Sequence, residues 1–359
     1  MHHIAFRLDA SNLIGTGHFM RCMTLAVALK KRGAEVLFVC RHLPDYLHGM
    51  LVEHEIELAL LNTTKTESVT DDLTHAHWLG VSQQLDAEET IQVLLSDRTW
   101  DWLVVDHYAL DICWEERLRK TVNKIIVIDD IADRQHDCDL LLDQNYHVDM
   151  NGRYEGKVTS QCQLLLGPMY ALLRVDFQIL HKSAKLRSGP VNRILVFFGG
   201  VDASNFTGTS IEALSEIEIP GLHVDVVIGA NHPYLNKIKE ACESKGFVCY
   251  VQTDKMAELM AAADLAIGAG GSATWERCSL GLPSLTVALA DNQVEIAKGL
   301  DVFGACVFIG TLKSVNAVDI QREITLLVNS PHQIRELSEK SFSITDGMGV
   351  NRICREMGC

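Results

Sequence analysis

Nothing in this chain of 359 residues approaches the unbroken apolar run needed to cross a bilayer, so stable membrane insertion is not expected. It has no Cys-x-x-Cys pair, and its eleven cysteines are scattered and odd in number, which argues for reduced thiols rather than a disulfide framework. No secretory leader is read ahead of the first strand, which adds to the expectation of a cytoplasmic protein. Positive charge is in deficit: 32 Lys and Arg stand against 47 Asp and Glu, a net charge of −15. That balance argues against nucleic acid or an anionic membrane surface as the main partner. An anionic small molecule stays open, because backbone N–H groups can bind it locally. No set of side chains has metal-ligand spacing. His75 and His77 are neighbours without a carboxylate or thiol to complete a site, and they read as solvated loop residues, so neither a metal nor a cofactor is expected. Internal repeats and low-complexity tracts are absent too.

What is present is an alternation of strands and helices. A hydrophobic content of 47% supports sizeable cores, and the length suits two domains. In the first half strands are predicted at residues 3–9, 35–40, 57–61, 102–106, 124–128 and 139–142, with helices at 20–32 and 84–97 among them. The polar, basic segment 181–192 with Gly189-Pro190 reads as a linker. After it the rhythm restarts, with strands at 193–198, 224–228, 247–251, 265–267 and 284–287, and a short helix at 255–262 capped by Thr253 or Asp254. This is an α/β chain of two doubly wound, Rossmann-type domains, 1–180 and 190–359, expected to face a cleft. The last helix is a candidate to pack back on the first domain. Ligands in such folds bind outside the carboxyl ends of the strands.

Residues 9–22 (DASNLIGTGHFMRC) are the most informative stretch. They follow an apolar strand and precede a helix read over 21–31, with Met23, Ala26, Val27 and Leu29 near one face. Gly15 and Gly17 let a backbone approach a ligand closely, and His18 stands where a general base would be useful. The plainer reading is a tight turn with a solvated histidine. The second constellation is Gly270-Gly271-Ser272-Ala273-Thr274-Trp275-Glu276, ahead of Gly281-Leu282-Pro283. Ser272 can cap a helix that Gly281 ends, and the glycines expose N–H groups suited to a phosphate or pyrophosphate. Glu276 lies one position beyond a capping box, which frees its carboxylate to grip the hydroxyls of a ribose; otherwise it is a surface glutamate. Asp291-Asn292-Gln293 follows a strand and is expected to face the cleft, or to form a capped loop. Asp106-His107-Tyr108 ends a buried strand and is a candidate for the sugar side, with His107 equally readable as a structural histidine.

These runs resemble the UDP-sugar hydrolases of the pseudaminic acid pathway. The resemblance is carried by Arg7-x-Asp9-Ala10-Ser11-x-x-Ile14-Gly15-x-Gly17-His18-x-x-Arg21-Cys22, Val105-Asp106-His107-Tyr108, Asp129-Asp130, Leu140 to Asn145, Gly167-x-x-Tyr170-Ala171-Leu172-Leu173-Arg174, Phe198-Gly199-Gly200-x-Asp202, Met256 to Pro283 and Asp291-Asn292-Gln293. Ala109 stands in place of the more usual glycine. That family is similar to two-domain GT-B glycosyltransferases, so the resemblance implies a GT-B-like fold and a UDP-sugar substrate. It implies His18 as catalytic base and Asp9, Ser11, Gly15, Gly17, Arg21, Asp106, His107, Tyr108, Asn292 and Gln293 in substrate binding. It assigns Gly200, Met256, Gly271, Ser272, Ala273, Thr274 and Glu276 to UDP, with the uracil near Met256, the diphosphate on the backbone from Gly271 to Thr274 and the ribose on Glu276. No fused acetyltransferase-like extension is expected.

The chemistry these parts allow is water attack at an anomeric carbon, with inversion, a neutral imidazole taking the proton and UDP leaving without a metal. Domain closure would align water and sugar and exclude solvent. A sugar transferase of the same fold, a non-catalytic UDP-sugar-binding protein and, more weakly, a hydrolysing epimerase are the alternatives.

Overall fold

The computed structural model describes residues 2–11, 13–63, 72–95 and 98–359. The chain divides into two compact units. The first comprises residues 1–145, 149–172 and 349–359, and the second 146–148 and 173–348.

The first unit runs β1 (His3–Leu8), α1 (Gly17–Lys30), β2 (Glu35–Cys40), α2 (Asp45–Glu53), β3 (Glu57–Leu60), α3 (Gln83–Leu94), β4 (Trp100–Asp106), α4 (Ile112–Leu118), β5 (Val122–Ile128), β6 (Leu140–Asp143) and β7 (Gln163–Leu166). The seven strands form one parallel sheet in the order β3-β2-β1-β4-β5-β6-β7. Alternate residues feed opposite faces, as the pleat requires: Ile4, Phe6, Leu8, Trp102 and Val104 pack on one side, and Ala5, Leu103 and Val105 on the other. Burial on both faces is why β1, β2 and β4 read as continuous apolar runs.

The second unit continues with α5 (Val175–His181), β8 (Arg193–Phe197), α6 (Phe206–Ser215), β9 (His223–Ile228), α7 (Leu235–Lys245), β10 (Val248–Val251), α8 (Met256–Ala262), β11 (Leu265–Ala269), α9 (Ala273–Ser279), β12 (Ser284–Ala288), α10 (Val294–Phe303), β13 (Val307–Thr311), α11 (Ala317–Val328) and α12 (Pro331–Phe342). Its parallel sheet has the order β10-β9-β8-β11-β12-β13. The chain then returns to the first unit as α13 (Gly349–Glu356), where Trp102 Nε1 donates to Met357 O at 3.0 Å. A side chain on Gly349 would lie 2.3 Å from Ala171 O, so only glycine lets this return pass.

The order of each sheet reverses beside its first strand, between β1 and β4 and between β8 and β11. Such switch points are where α/β sheets bind ligands. Leu8 pairs with Asp106 at the first, and Phe197 with Gly268 at the second.

Several sequence expectations are corrected. Helix α1 starts at Gly17, so Gly17 and His18 lie in its first turn rather than in a loop before it. Strands β7 and β13 were not anticipated; both are short edge strands without the unbroken burial of the inner ones. Lys255, not Thr253 or Asp254, is the N-cap of α8, although Thr253 Oγ1 accepts the Lys255 N–H at 3.1 Å. The final two residues of the helix predicted at 84–97 lie outside the described residues, and α3 ends at Leu94. The segment 181–192 is built into the second unit by Arg187, which donates to the carbonyls of Met260 (2.9 Å), Ala261 (3.1 Å), Ala263 (3.1 Å) and Leu280.

Candidate active site

In the first unit the loop after β1 is turned by Ser11. Its hydroxyl accepts the N–H groups of Leu13 (3.2 Å) and Ile14 (3.1 Å), and its carbonyl accepts that of Gly15, whose φ is +81°. The Ser11 side chain therefore shapes the loop. A Cβ on Gly17 would meet nothing within 4 Å, so the protein itself does not demand glycine there.

The loop delivers His18 to the end of β4. His18 Nδ1 lies 2.5 Å from Asp106 Oδ1, and Asp106 is fully buried. Arg21, one turn further along α1, clamps the same carboxylate with Nε to Oδ2 and Nη2 to Oδ1, both at 2.6 Å. Its Nη1 reaches Asp130 Oδ2 at 2.5 Å, and Tyr108 donates its hydroxyl to that oxygen at 2.7 Å. Burial alone would raise the pKa of Asp106; the charges of Arg21 and His18 outweigh it and hold the group far below the usual carboxylate range. A permanent carboxylate only accepts hydrogen bonds. His18 Nδ1 faces this carboxylate, with Arg21 Nη2 3.3 Å away, while Nε2 has no hydrogen-bond partner among the described residues. This is the arrangement of a general base held by an orienting acid.

Asp9 and His107 belong to a separate, buried network. Asp9 accepts Arg7 Nη1 (2.8 Å), Arg7 Nη2 (3.2 Å) and the N–H groups of Arg41 (2.6 Å) and His42 (3.1 Å), and is fully buried. Arg7 also pairs with Asp86, where Arg41 and the Trp114 indole converge. His107 Nε2 stands 3.2 Å from Asp9 Oδ2, and its Nδ1 accepts the Ala109 N–H at 3.1 Å. Burial holds its pKa below the ordinary imidazole value, with Asp9 pulling it back up. Nδ1 is engaged, Nε2 faces Asp9 without a hydrogen bond, and the residue is 2% exposed, so His107 and Asp9 lie in the buried floor under the site. Arg21, Asp106 and Tyr108 are likewise under 8% exposed and are packed around His18.

In the second unit the key element is the turn from β11 to α9. Gly268 is pressed against β8, where a Cβ would fall 2.4 Å from Phe197 O. Gly270 N–H bonds to Val287 O at 3.1 Å and Thr274 N–H to Gly271 O at 2.9 Å. Among the described residues the N–H groups of Gly271, Ser272 and Ala273 have no partner within the protein, so three donors point out of this turn and Thr274 is not one of them. Ser272 occupies the N-cap position without a side-chain capping bond. Gly281, with φ +58°, ends α9: its N–H bonds to Cys278 O (2.9 Å) and that of Leu282 to Arg277 O (3.0 Å).

Glu276 is half-buried, and among the described residues no hydrogen bond engages its carboxylate. Burial raises its pKa, with Arg174 and Arg277 pulling it back. Arg277 is a buried guanidinium with no carboxylate partner among the described residues. It lies beneath the turn, where Nη2 donates to Ala269 O (2.9 Å) and Thr274 Oγ1 (3.0 Å). Gln293 packs against Gly270 and gives its Oε1 to the Leu289 N–H at 3.0 Å, while Asn292 is exposed. Gly200 is touched closely by the backbone of Gly229. Met256 is 6% exposed, which places it in the core and not in an open wall. Sequence reasoning missed Asp130 and Arg277 as site builders. Asp130 stood in a matched run with no role assigned, and a lone arginine on a helix gives no signal of burial. No group of three or more His, Cys, Asp or Glu among the described residues could hold a metal ion, and no helix is long and apolar enough to cross a membrane.

The family model of the glycosyltransferase family 28 C-terminal domain matches residues 193–349, all but the last of them in the second unit. The chain is 25% identical over 299 residues to UDP-2,4-diacetamido-2,4,6-trideoxy-β-L-altropyranose hydrolase of Campylobacter jejuni, covering 83% of this chain and 95% of that protein. It is 22% identical over 355 residues to the spore coat polysaccharide biosynthesis protein SpsG of Bacillus subtilis, covering 98% and 96%. Among solved structures it resembles MurG of Acinetobacter baumannii, with a TM-score of 0.66 at 14% identity over 100% of this chain and 99% of the other. The fold is that of the GT-B glycosyltransferases.

Proposed function

We propose that the chain is a metal-independent hydrolase that releases UDP from a UDP-linked diacetamido-trideoxy hexose, UDP-2,4-diacetamido-2,4,6-trideoxy-β-L-altropyranose, in pseudaminic acid biosynthesis. The observation that carries this reading is the His18–Asp106 pair: a contact of 2.5 Å on Nδ1 leaves Nε2 available as a base at the switch point of the first sheet. The likeness to the Campylobacter hydrolase supports the substrate class.

In this reading water attacks the anomeric carbon from the side opposite the diphosphate, which inverts that centre. His18 Nε2 takes the proton, and Asp106 stabilises the imidazolium that forms. The diphosphate leaves onto the N–H groups of Gly271, Ser272 and Ala273, and the ribose hydroxyls donate to Glu276. Donors already fixed by the fold need no reorganisation as the charge develops.

The test is incubation of the UDP-sugar in oxygen-18 water with no acceptor present. UDP should appear unlabelled and the free sugar should carry the label; label in UDP would mean attack at phosphorus and would remove His18 from its role. The match to the family 28 domain favours a second reading, transfer to an acceptor other than water. It forecasts UDP release only when an acceptor is added.

A further inference from the structure

Tyr108 is 5% exposed and enclosed on several sides. The Trp78 ring stacks on it, with centroids 5.5 Å apart and planes at 26°. His18 meets it edge-on at 4.7 Å, and the Arg134 guanidinium lies 5.7 Å from its centre. Its hydroxyl is taken by Asp130. A ligand beside the base therefore touches the rings outside Tyr108. These are Trp78 and His75, both half-buried, with centroids 4.4 Å apart on and next to the short 3₁₀ turn Ala76–Trp78. Trp78 also meets His18 edge-on at 6.2 Å. His75, expected to be a solvated loop residue, is instead part of this cluster, whereas His77 is exposed.

Two properties of Trp78 point to a sugar. Its indole N–H has no hydrogen-bond partner among the described residues and is not sealed from the surface, so it is available to a ligand. Charge on its neighbour is disfavoured: burial lowers the His75 pKa, Asp133 opposes it, and His77, Arg134 and His18 lower it further. A neutral aromatic face beside an unused donor suits a ring with one face of C–H groups and polar substituents at its edge. A pyranose has that pattern.

We propose that Trp78 is a specificity-determining residue. Its indole forms the wall beside His18 against which the sugar ring of the substrate lies, the face covering C–H groups and the N–H donating to a ring substituent. This deepens the UDP-sugar reading and rests on it. The wall would also hold the anomeric carbon within reach of the water that His18 activates, since a small misplacement of reacting atoms is costly.

The experiment compares wild type, Trp78→Ala and Trp78→Phe with UDP and with the UDP-sugar. Trp78→Ala should raise KM by about 10–100-fold, lower kcat by less than about tenfold and leave UDP affinity unchanged. Trp78→Phe keeps the face but not the N–H and should recover most of the KM. The UDP-sugar should quench tryptophan emission of the wild type more than UDP does, and Trp78→Phe should abolish that difference. A folded Trp78→Ala enzyme with normal KM overturns the proposal. So does a loss confined to kcat, which would mean that Trp78 only packs against His18. If Trp78→Ala does not fold, the quenching comparison with Trp78→Phe decides. A wild type that releases no UDP, yet shows the extra quenching, would sink the hydrolase reading and leave the wall standing.

Discussion

The two switch points are built from different materials, and the proposed function gives them different chemistry. At the first, side chains do the work: His18, Arg21, Asp106, Tyr108 and Asp130 are tied by contacts of 2.5–2.7 Å, all inside the sheet's carboxyl edge. At the second, backbone does it: among the described residues three N–H groups of the Gly271–Ala273 turn have no protein partner, with one buried guanidinium beneath them that no carboxylate ion-pairs. A proton must be moved by a titratable atom, which only a side chain offers. A diphosphate needs fixed positive potential, which the peptide unit offers wherever the chain leaves its N–H groups unpaired. The first region should therefore fail by loss of charge pairing, and the second should lose affinity by degrees.

The largest effect is expected at the pair in the first unit. His18→Asn should cut kcat roughly 10²–10⁴-fold with little change in KM or UDP affinity. Asp106→Asn should cost a similar factor and also lower the melting temperature, because Arg21 then faces a neutral amide and breaking a buried pair costs about 3–5 kcal/mol. Steady-state kinetics with thermal melts checks both. Near-normal turnover in folded His18→Asn enzyme would mean the comparison is drawn in the wrong place.

Next comes Glu276→Ala, which removes a charged acceptor from the second region. UDP affinity should fall by about 1.5–3 kcal/mol with kcat nearly unchanged. Calorimetric titration of UDP is the measurement, and unchanged affinity would take Glu276 out of the site. Arg277→Met sharpens the contrast further. The cation has no ion-paired carboxylate among the described residues and loses only the hydrogen bonds to Ala269 O and Thr274 Oγ1, so a methionine of similar reach should change the melting temperature little. UDP affinity should still drop by about 1–2 kcal/mol, as expected for one charge acting over several ångströms at an effective dielectric near 20. An equal loss of uridine affinity would show that Arg277 supports the turn and not the anion.

The smallest effect on activity is expected at Asp143, at the end of β6. Burial, then the neighbouring carboxylate of Asp130, raises its pKa to about 7. A raised carboxyl contributes stability that is complete below its unfolded pKa and is lost as pH rises through the folded one. The unfolding free energy should thus decline between about pH 4 and 7, by at most a few kcal/mol. Asp106 and Asp129 act with the opposite sign, because their pKa values are lowered and their contribution is lost only at more acid pH. Asp143→Asn should flatten the decline above pH 4 and leave turnover unchanged; denaturant melts across pH would report it.

Much of this was legible beforehand. Burial on both faces makes parallel strands such as β1 and β4 unbroken apolar runs, so their places were found within a few residues. The edge strands β7 and β13, half exposed, carry no such pattern and were not found. His18 and the Gly270-Gly271-Ser272 turn announced themselves through glycines beside chemistry-bearing residues. The roles of the residues around them were another matter. Asp9, Asp106, His107 and Tyr108 looked alike as polar residues at strand ends, yet one holds the base, one closes over its partner and two brace a buried network.

By itself, then, the sequence determined the alternation of elements, the two parallel sheets and the chain positions of both informative turns, because apolar periodicity and glycine act over a few neighbouring residues. Only tertiary structure decided which polar groups face a ligand. It brought Asp106 to His18 across 88 residues, sealed His107 against Asp9, buried Arg277 beneath the Gly271 turn and laid Trp78 over Tyr108. Burial and pairing are properties of contacts between distant segments, and no local pattern encodes them.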